Sequence, residues 1–534
     1  MDGPMVTFAS DSALLVNYPG EPSVEVTGRV LGLFHRLRSC MLWRRMNLHP
    51  AYCSLLVEFD PYVQDPKALH RSLGALAASS ASSTLPQGRT VEIPVVYGNE
   101  FGPDLEDVSK LTGWPSDTII QKHTDAEFMV AFLGFSPGFP YLLGLPQELA
   151  CPRKATPRLR VPKGSVAIAG FQAGIYPGPS PGGWQVIGRT DVSLYGPDSP
   201  GAAGSTLLEP GDRVKFRSVT ELKPRPPRNL EPNTADPILQ VVHPGAYITV
   251  QDGGTDGFTH LGISPSGAAD TLALRVGNAL LGNSRDAAAL ECTLSGGAYR
   301  FLSDTWIAIT GSPCTPRLEE RVLSMGCPHP VSAGQVLHIG PILVGLRSYI
   351  CVRGGLYRPS ENPLNAGDKI SAGERVLAEP SYRPPTRLLR RHYEEPTSCL
   401  HITQGPQWDW FTPESRDKLL TDEFTLTEDA DRRGLRLSGP ALTTVHKDEL
   451  ISEGIANGAV QVSGDGKAMI LFCEQRTTGG YPKIANVIRA DLWRLGQLRP
   501  GTRFQFKLVT LERAWHMNRE WREMLKGAGY DPQG

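Results

Sequence analysis

His123 is the residue of this chain best suited to move a proton at neutral pH. It lies close to Asp125 and just upstream of a loop, residues 134–141, in which glycines and prolines alternate with aromatic side chains. An unperturbed histidine titrates near neutrality, so we predict that His123 is a catalytic acid or base. The alternative is a packed histidine that bonds only to the backbone. Because tight turns of this composition press against apolar surface, we expect Phe135 and Phe139 to line a binding site.

Three arginines follow this loop and are suited to anion binding. The planar guanidinium groups of Arg153, Arg158 and Arg189 match the oxygens of a carboxylate or a carboxyphosphate. For each arginine taken alone, the alternative is a surface position or an ion pair with an acidic side chain. We predict that all three bind substrate.

The second half of the chain has polar residues at a turn and at a helix start. Gln251 and Asp252 end an apolar run, and Asp270 precedes a helical pattern. We predict that Gln251 and Asp252 bind substrate and that Asp270 has a catalytic role, orienting the N–H of an amide or a urea-like group. The alternative for Asp270 is a carboxylate that is simply favoured by the dipole of the helix.

A further turn, residues 477–481, combines two hydroxyl groups with two glycines and an aromatic ring. The side chains of Thr477 and Thr478 and the unhindered backbone N–H groups beside them are suited to hold an oxyanion. The alternative is a tight β-turn with Tyr481 in the core. We predict that Thr477, Thr478 and Tyr481 contact substrate.

Several other kinds of site are not indicated. The sequence has no GxxxxGK[ST] phosphate-binding loop, no Met-Lys-Met biotin attachment sequence, no HExxH motif and no GxSxG motif with a credible triad. Its nine cysteines lack the spacing of a zinc site, so we expect reduced thiols and no metal. ATP or biotin chemistry would need another polypeptide.

The composition is that of an ordinary globular protein. The 534 residues have a net charge of −1, with 40% apolar and 20% charged residues, so nucleic acid is not an expected partner. No run reaches the ~18 apolar residues of a membrane span, and the start lacks a signal-peptide pattern. We expect a cytoplasmic protein that does not bind a membrane.

The elements that must position these residues begin with two units and a linker. In residues 1–88, strand patterns at 13–18 and 54–59 together with two apolar helical faces predict an α+β unit. Residues 89–218 show short strands between Gly/Pro turns, which is typical of a barrel or closed sheet. Five prolines among charged residues make 219–237 a predicted linker.

The second half is predicted to consist of an α/β-like unit, a barrel and a C-terminal tail, at residues 238–397, 398–510 and 511–534. An internal repeat supports the second barrel. The turn 182–184 (GGW) followed by a Pro-Gly strand start at 210–211 parallels the turn 479–481 (GGY) followed by Pro-Gly at 500–501. Two copies of this arrangement predict two related barrels.

Several of these stretches resemble two protein families. Segments 134–141, 161–165 and 181–190 resemble the small-subunit family, which includes allophanate hydrolase subunit 1, KipI and the B component of 5-oxoprolinase. Segments 245–270 and 477–483 resemble the large-subunit family, which includes allophanate hydrolase subunit 2, KipA and the C component of 5-oxoprolinase. The relation extends to the carboxyltransferase domain of urea carboxylase.

The resemblance covers residues from about 10 to 506 and implies a fusion of the small and large subunits. The implied fold is α+β and β-rich, with two cyclophilin-like β-barrels, each preceded by a smaller α/β unit. Gln461, in the family-like run 458–462, joins the expected substrate-binding residues. The implied activity is that of a component of an ATP-dependent 5-oxoprolinase-type complex, which opens a lactam with a separate A component and has no covalently bound cofactor.

Two alternatives stay open. One is a carboxyltransferase that works with biotin carried on a separate protein, and the other is a non-catalytic regulator, because the small-subunit family includes a kinase-inhibitory protein. The chain also departs from the large-subunit pattern. It has Gly254-Thr255 where the family has Gly-Arg, and its segment 356–365 is short, so both departures fall near the predicted site.

Overall fold

The fold is seen in a computed structural model that describes residues 3–41, 43, 46–79, 88–196, 206–222, 236–357, 363–373, 393, 397–446 and 450–527. It is rich in strands and contains two closed barrels, which confirms the predicted fold class. Most of the predicted linker 219–237 and part of the segment 356–365 lie outside the described residues.

The first unit is a four-stranded antiparallel sheet packed against two helices, α1 (Val24–Ser39) and α2 (Pro66–Ser79). Its strands are β1 (Met5–Ser10), β2 (Ala13–Asn17), β3 (Asn47–Pro50) and β4 (Ser54–Glu58), in the spatial order β1-β2-β4-β3. Helix α1 begins after Ser23, whose hydroxyl accepts a hydrogen bond from the backbone N–H of Val26 at 3.1 Å. Its buried side chains fall at helical spacing, as the sequence pattern predicts.

The first barrel is built from short strands and is closed by a parallel pair. The strands of this region are β5 (Thr90–Tyr97), β6 (Phe128–Leu133), β7 (Pro140–Leu143), β8 (Arg158–Val161), β9 (Ser165–Ala169), β10 (Gln172–Ile175), β11 (Ser180–Gly182), β12 (Gln185–Arg189) and β13 (Arg213–Ser218). Seven of them form the barrel β5-β12-β9-β10-β7-β6-β13, in which β13 returns parallel to β5, while β8 and β11 form a separate ribbon. Helices α3 (Leu105–Thr112) and α4 (Ser116–Asp125) connect β5 to β6.

Alternate side chains of the barrel strands face two different cores. Phe128 and Val130 belong to a cluster to which all seven barrel strands contribute, so this cluster fills the interior. Met129 and Ala131 instead join the core of the first unit. The outer face of the barrel is therefore buried against its neighbour in the chain.

The described residues of the third unit form two antiparallel sheets, on one of which helix α5 (Thr271–Leu281) packs. Its strands are β14 (Pro237–Pro244), β15 (Tyr247–Gln251), β16 (Ala289–Thr293), β17 (Ser295–Phe301), β18 (Thr305–Gly311), β19 (Pro316–Leu318), β20 (Arg321–Val322), β21 (Pro328–Val331), β22 (Val336–Pro341), β23 (Arg347–Val352) and β24 (Lys369–Ser371). The sheets have the orders β20-β19-β22-β17-β14-β24 and β15-β16-β23-β18-β21 and share one core. The unit thus combines strands with helix α5, within the fold class that the sequence predicts.

The second barrel repeats the topology of the first. Its elements are β25 (Cys399–Gln404), α6 (Pro413–Thr421), β26 (Phe424–Leu426), β27 (Gly434–Ser438), β28 (Glu453–Gly454), β29 (Ala459–Val462), β30 (Ala468–Leu471), β31 (Thr478–Gly479), β32 (Lys483–Val487), α7 (Leu492–Leu495) and β33 (Arg503–Leu508). The barrel order is β25-β32-β29-β30-β27-β26-β33, again closed by a parallel pair, and β28 and β31 form a ribbon like that of β8 and β11. The relation predicted from the internal repeat is confirmed.

The predicted C-terminal tail contains a helix, α8 (Leu511–Gly527), that docks on the first unit. The indole Nε1 of Trp515 donates to the backbone carbonyl of Asp11 at 2.8 Å, and Asn518 Nδ2 donates to the Asp11 carboxylate at 2.8 Å. The two ends of the described chain are therefore joined. No helix of the described residues has the length and apolar character needed to cross a membrane.

Candidate active site

Three loops from the two halves of the chain converge on one place. We name them the aromatic loop, the bridging loop and the threonine loop, and they comprise residues 134–139, 252–270 and 473–478. The backbone N–H of Gly138 donates to the carbonyl oxygen of Leu261 at 2.9 Å, which joins the aromatic loop to the bridging loop. The N–H of Ser266 donates to the carbonyl oxygen of Cys473 at 3.0 Å, which joins the bridging loop to the threonine loop.

The aromatic loop and the threonine loop also touch directly. A Cβ atom placed on Gly134 would lie only 2.1 Å from Thr478 Oγ1, so no side chain larger than hydrogen fits there. The first unit supports the same place, because the His49 imidazole bonds to the carbonyl oxygen of Thr477 at 3.1 Å. The two halves of the chain therefore build this junction together.

The first half contributes an aromatic wall at this junction, in which one ring, that of Phe135, is half-buried and the others are buried. We use this term for Phe135, Phe139, Tyr141, Tyr176 and Trp184. The ring centroid of Phe139 lies 5.3 Å from that of Phe135, 5.2 Å from that of Tyr176 and 5.7 Å from that of Trp184. Phe135 has a φ of +64°, which is unfavourable for a bulky residue and is held by the surrounding packing. Phe135 and Phe139 thus lie beside the junction of the three loops, and their contact with substrate stays a prediction.

The second half places a cation over this wall. The guanidinium carbon of Arg476 lies 4.0 Å from the ring centroid of Phe135, a cation–π contact. Arg476 is exposed, and no ion pair is seen between it and an acidic side chain of the described residues. Sequence reasoning missed this residue, although its charge directly precedes the Thr477-Thr478 pair.

Arg153 is the second arginine at the wall. The segment that carries it is held beside Trp184, because Gln185 Nε2 donates to Pro152 O at 3.0 Å and Lys154 N donates to Gly183 O at 2.7 Å. Burial raises the pKa of Tyr141 to about 12, and the positive charges of Arg476 and Arg153 oppose this rise. The Tyr141 hydroxyl therefore keeps its proton at neutral pH and can donate a hydrogen bond.

Arg158 and Arg189 are already engaged by the protein itself. Arg158 makes a bidentate ion pair with Asp104, at 2.6 and 2.7 Å, and Lys154 adds a third bond at 2.7 Å. Burial opposes ionisation of Asp104, but these bonds outweigh it and lower the pKa of the carboxyl. Arg189 Nε donates to the carbonyl oxygen of Lys163 at 3.0 Å. Of the three predicted arginines, only Arg153 has its guanidinium unengaged among the described residues.

The threonine loop presents two hydroxyl groups at the junction. Thr477 and Thr478 are 1% and 2% exposed, and neither hydroxyl has a hydrogen-bond partner in the described part of the chain. Buried hydroxyl groups are normally bonded, so these two enclosed, unpaired hydroxyls are candidates for bonding a ligand or a water molecule. Tyr481 lies at the surface rather than in the core, being 54% exposed, and its carbonyl oxygen accepts from Gln461 Nε2 at 3.3 Å.

Asp270 is buried and fully bonded rather than open to substrate. One oxygen caps helix α5 by accepting from the N–H of Ala273 at 2.9 Å, and the other accepts from Gln497 Nε2 at 2.7 Å. Burial raises the pKa of Asp270 to about 6. This arrangement corrects the predicted catalytic role, because helix capping already accounts for the carboxylate.

Gln251 and Asp252 shape the start of the bridging loop. Gln251 is buried, and its Nε2 donates to Thr249 Oγ1 at 3.0 Å. Asp252 Oδ1 accepts from the backbone N–H of Gly254 at 2.8 Å, which closes the turn that carries the Gly254-Thr255 departure. Both residues therefore have local structural roles beside their predicted contact with substrate.

His123 lies inside the first barrel, and its predicted catalytic role is corrected by this position. Its ring centroid lies 4.6 Å from that of Phe216 and 5.0 Å from that of Phe128. Nδ1 bonds to the Tyr97 hydroxyl at 2.8 Å, and no part of the side chain reaches solvent. Burial lowers the pKa of His123 to about 3. The imidazole is thus neutral and enclosed, as in the packed alternative, but its hydrogen bond is to a side chain and not to the backbone.

A buried charge network holds the bridging loop against the second barrel. The Glu291 carboxylate accepts from Arg432 Nη1 at 2.6 Å, from the Tyr349 hydroxyl at 2.7 Å and from the N–H of Ala269 at 2.8 Å. Arg432 also bonds to the carbonyl oxygen of Gly267. Sequence reasoning did not single out these residues for any role. Among the described residues, no cluster of three or more His, Cys, Asp or Glu side chains is arranged to hold a metal ion.

Two family models match the chain. The family described as carboxyltransferase domain, subdomain C and D, matches residues 4–203, and the family described as carboxyltransferase domain, subdomain A and B, matches residues 261–508. The aromatic loop lies in the first match, and the threonine loop lies in the second.

The chain is also similar to individual proteins. The C component of 5-oxoprolinase from Escherichia coli (strain K12) is 35% identical over 52% of this chain and 93% of its own length. The B component of 5-oxoprolinase from Bacillus subtilis (strain 168) is 39% identical over 40% of this chain and 91% of its own. Urea amidolyase of Lachancea kluyveri is 30% identical over 51% of this chain but only 17% of its own. The solved structure of TTHA0988 is 34% identical with a TM-score of 0.82, covering 94% of this chain and 100% of that chain.

Proposed function

The chain belongs to the carboxyltransferase-domain family and carries both subdomain pairs in one polypeptide, and from this we propose that it acts as the fused B and C components of a 5-oxoprolinase-type complex. The observation that carries the proposal is the contact between the aromatic loop and the threonine loop at Gly134 and Thr478. The two halves of this chain resemble two separate proteins, and here they meet at one candidate site. Fusing the two proteins into one chain would keep a site that needs residues from both.

The surface suits a small cyclic amide. A flat lactam ring is proposed to pack at the half-buried Phe135 end of the aromatic wall, because ligand sites commonly combine apolar walls with a few polar groups. The Tyr141 hydroxyl is protonated at neutral pH, and the hydroxyl groups of Thr477 and Thr478 are unpaired within the described residues, so all three are suited to bond the amide. These residues bind and orient; none of them needs to act as a base.

The ATP-dependent part of the reaction is proposed to reside on a separate A component, because the sequence of this chain has no phosphate-binding loop. Opening the lactam of 5-oxoproline breaks the ring C–N bond and adds water, which yields glutamate. The chain would supply the lactam-binding surface of that complex.

Similarity to urea amidolyase supports a second candidate function, a carboxyltransferase that uses biotin on a separate protein. The two functions require different partners and different substrates. Reconstitution therefore separates them.

The test is to purify the chain, combine it with a candidate A component, ATP and 5-oxoproline, and measure glutamate and ADP. We expect both products only when both proteins are present, and no ATP turnover by the chain alone. A parallel reaction with a carboxylated biotin protein and urea tests the alternative. Carboxyl transfer in that reaction, with no glutamate formed in the first, would overturn the proposal.

A further inference from the structure

We infer that Arg153 and Arg476 together bind the carboxylate of a small cyclic amide whose ring lies on the aromatic wall. This inference rests on the proposed function for the amide ring and adds the group by which the substrate is recognised. It assigns one arginine to each half of the chain.

Arg476 is positioned for this role by its neighbours. It lies between the buried residues Gln475 and Thr477, and its guanidinium sits over the Phe135 ring at 4.0 Å. Stacking on a ring leaves the N–H groups at the edge of the guanidinium free to bond an anion in its plane. The side chain is exposed, so an anion from solvent can reach it.

Arg153 approaches the same wall from the first half. Its chain neighbours Pro152 and Lys154 are bonded to Gln185 and Gly183, the residues on either side of Trp184, which fixes the path of the segment. The positive charges of Arg153 and Arg476 both act on the hydroxyl of Tyr141. That hydroxyl therefore lies within the influence of two cations that come from different barrels.

The positive charge at this place is not neutralised by the protein. Neither arginine forms an ion pair with an acidic side chain of the described residues, in contrast to Arg158, which Asp104 neutralises. A third exposed arginine, Arg433, lies close enough to repel Arg476. Like charges that are held together without a counterion attract an anion from solution.

A carboxylate can neutralise the positive charge of these arginines and accept their hydrogen bonds, whereas an uncharged lactam cannot neutralise the charge. The two guanidinium groups and the Tyr141 hydroxyl provide donors for both carboxylate oxygens, and charge-assisted bonds of this kind are stronger than neutral ones. The ring of 5-oxoproline carries such a carboxylate, whereas 2-pyrrolidinone has the same ring without it. The pair of compounds isolates the contribution of the carboxylate.

The experiment measures kcat and KM of the reconstituted complex on 5-oxoproline and on 2-pyrrolidinone for Arg153→Gln and Arg476→Gln. Loss of a charge-assisted bond should raise KM for 5-oxoproline about 10- to 100-fold in each variant. The values for 2-pyrrolidinone should not change, and Arg476→Lys should recover part of the loss. Arg160→Gln, at an exposed arginine of strand β8, is the matched control and should match the unaltered protein.

Binding to the chain alone separates this inference from the proposed function. Ligand-observed NMR should detect binding of 5-oxoproline that weakens in both glutamine variants but not in Arg160→Gln. If no lactam is opened by any complex but this pattern holds, the proposed function fails and the carboxylate site stands. Equal losses for both compounds, or unchanged 5-oxoproline binding in folded variants, would overturn the inference.

Discussion

The Nδ1 atom of His49 in the first unit donates a hydrogen bond to the carbonyl oxygen of Thr477 in the second barrel, 3.1 Å away and 428 residues later in the chain. Because a carbonyl oxygen only accepts, Nδ1 must carry the proton. The other ring nitrogen bonds to Glu58 at 2.9 Å, and Glu58 in turn accepts from the N–H of Asn457 at 3.0 Å. The first unit thus holds the threonine loop in place.

Replacing His49 with alanine should lower both stability and turnover. The change leaves the Thr477 carbonyl without this donor, and the expected loss in the free energy of unfolding is about 1–3 kcal/mol. Denaturant unfolding and reconstituted turnover measure the two effects. The control is His329→Ala, which removes the bond between an exposed histidine and the carbonyl oxygen of Ser324 in the third unit. It should leave turnover per folded molecule unchanged. A His49→Ala protein with normal turnover would show that the threonine loop does not depend on this bond.

Gly134→Ala should separate the two halves of the site. The added methyl group would lie 2.1 Å from Thr478 Oγ1, so the aromatic loop or the threonine loop has to move. We expect reduced turnover and a melting temperature lowered by an overpacking cost of about 1–3 kcal/mol. Gly74→Ala, at an open position within helix α2, is the control and should be neutral or stabilising. Combining Gly134→Ala with Thr478→Ala should restore part of the lost stability; no restoration would contradict the assigned contact.

Glu291→Gln should be strongly destabilising. The substitution keeps the shape of the side chain but leaves the buried guanidinium of Arg432 without its buried partner, which typically costs about 3–5 kcal/mol. Chemical denaturation measures the loss. Glu92→Gln makes the same change in an exposed pair with Arg217 and should alter stability by no more than about 1 kcal/mol. Similar small effects at both positions would mean that the buried network does not hold the bridging loop.

His123→Gln should change the pH dependence of stability rather than turnover. The folded protein takes up a proton on His123 only near pH 3, because burial lowers its pKa, whereas an unfolded chain does so near pH 6.5. The folded pKa is the lower one, so stability is full above about pH 6.5 and falls as the pH drops toward 3, by at most about 1.4 kcal/mol per unit for this group.

Denaturant unfolding of both proteins between pH 7 and pH 4 tests this account. The glutamine variant should lose less stability on acidification than the unaltered protein, and its turnover per folded molecule should be the same. A drop in turnover of ~10²-fold or more with an unchanged pH profile of stability would instead restore a proton-transfer role for His123.

Much of the architecture follows from local sequence patterns. The buried face of helix α1, the strands β2 and β4, and the repeated glycine–aromatic turns at Trp184 and Tyr481 are visible because helix and strand periodicity and turn sterics act over a few residues. The same local reasoning predicts a binding site at Phe135 and Phe139. In the third unit it indicates helix α5 more clearly than the short strands of the two sheets.

The composition of the site was decided by contacts between distant segments. The residue type of His123 permits proton transfer, but packing between Phe128 and Phe216 encloses it. Arg158 is chemically able to bind the carboxylate of a substrate, but it already forms an ion pair with Asp104, which lies 54 residues earlier in the chain.

Arg476 shows the reverse case, since only the tertiary fold brings its guanidinium over the ring of Phe135 from the other half of the chain. Residue type and local spacing determine which chemistry each side chain is capable of. Burial and pairing across hundreds of residues determine which of those side chains remain free to perform it, because desolvation and a nearby opposite charge outweigh the intrinsic properties of the group.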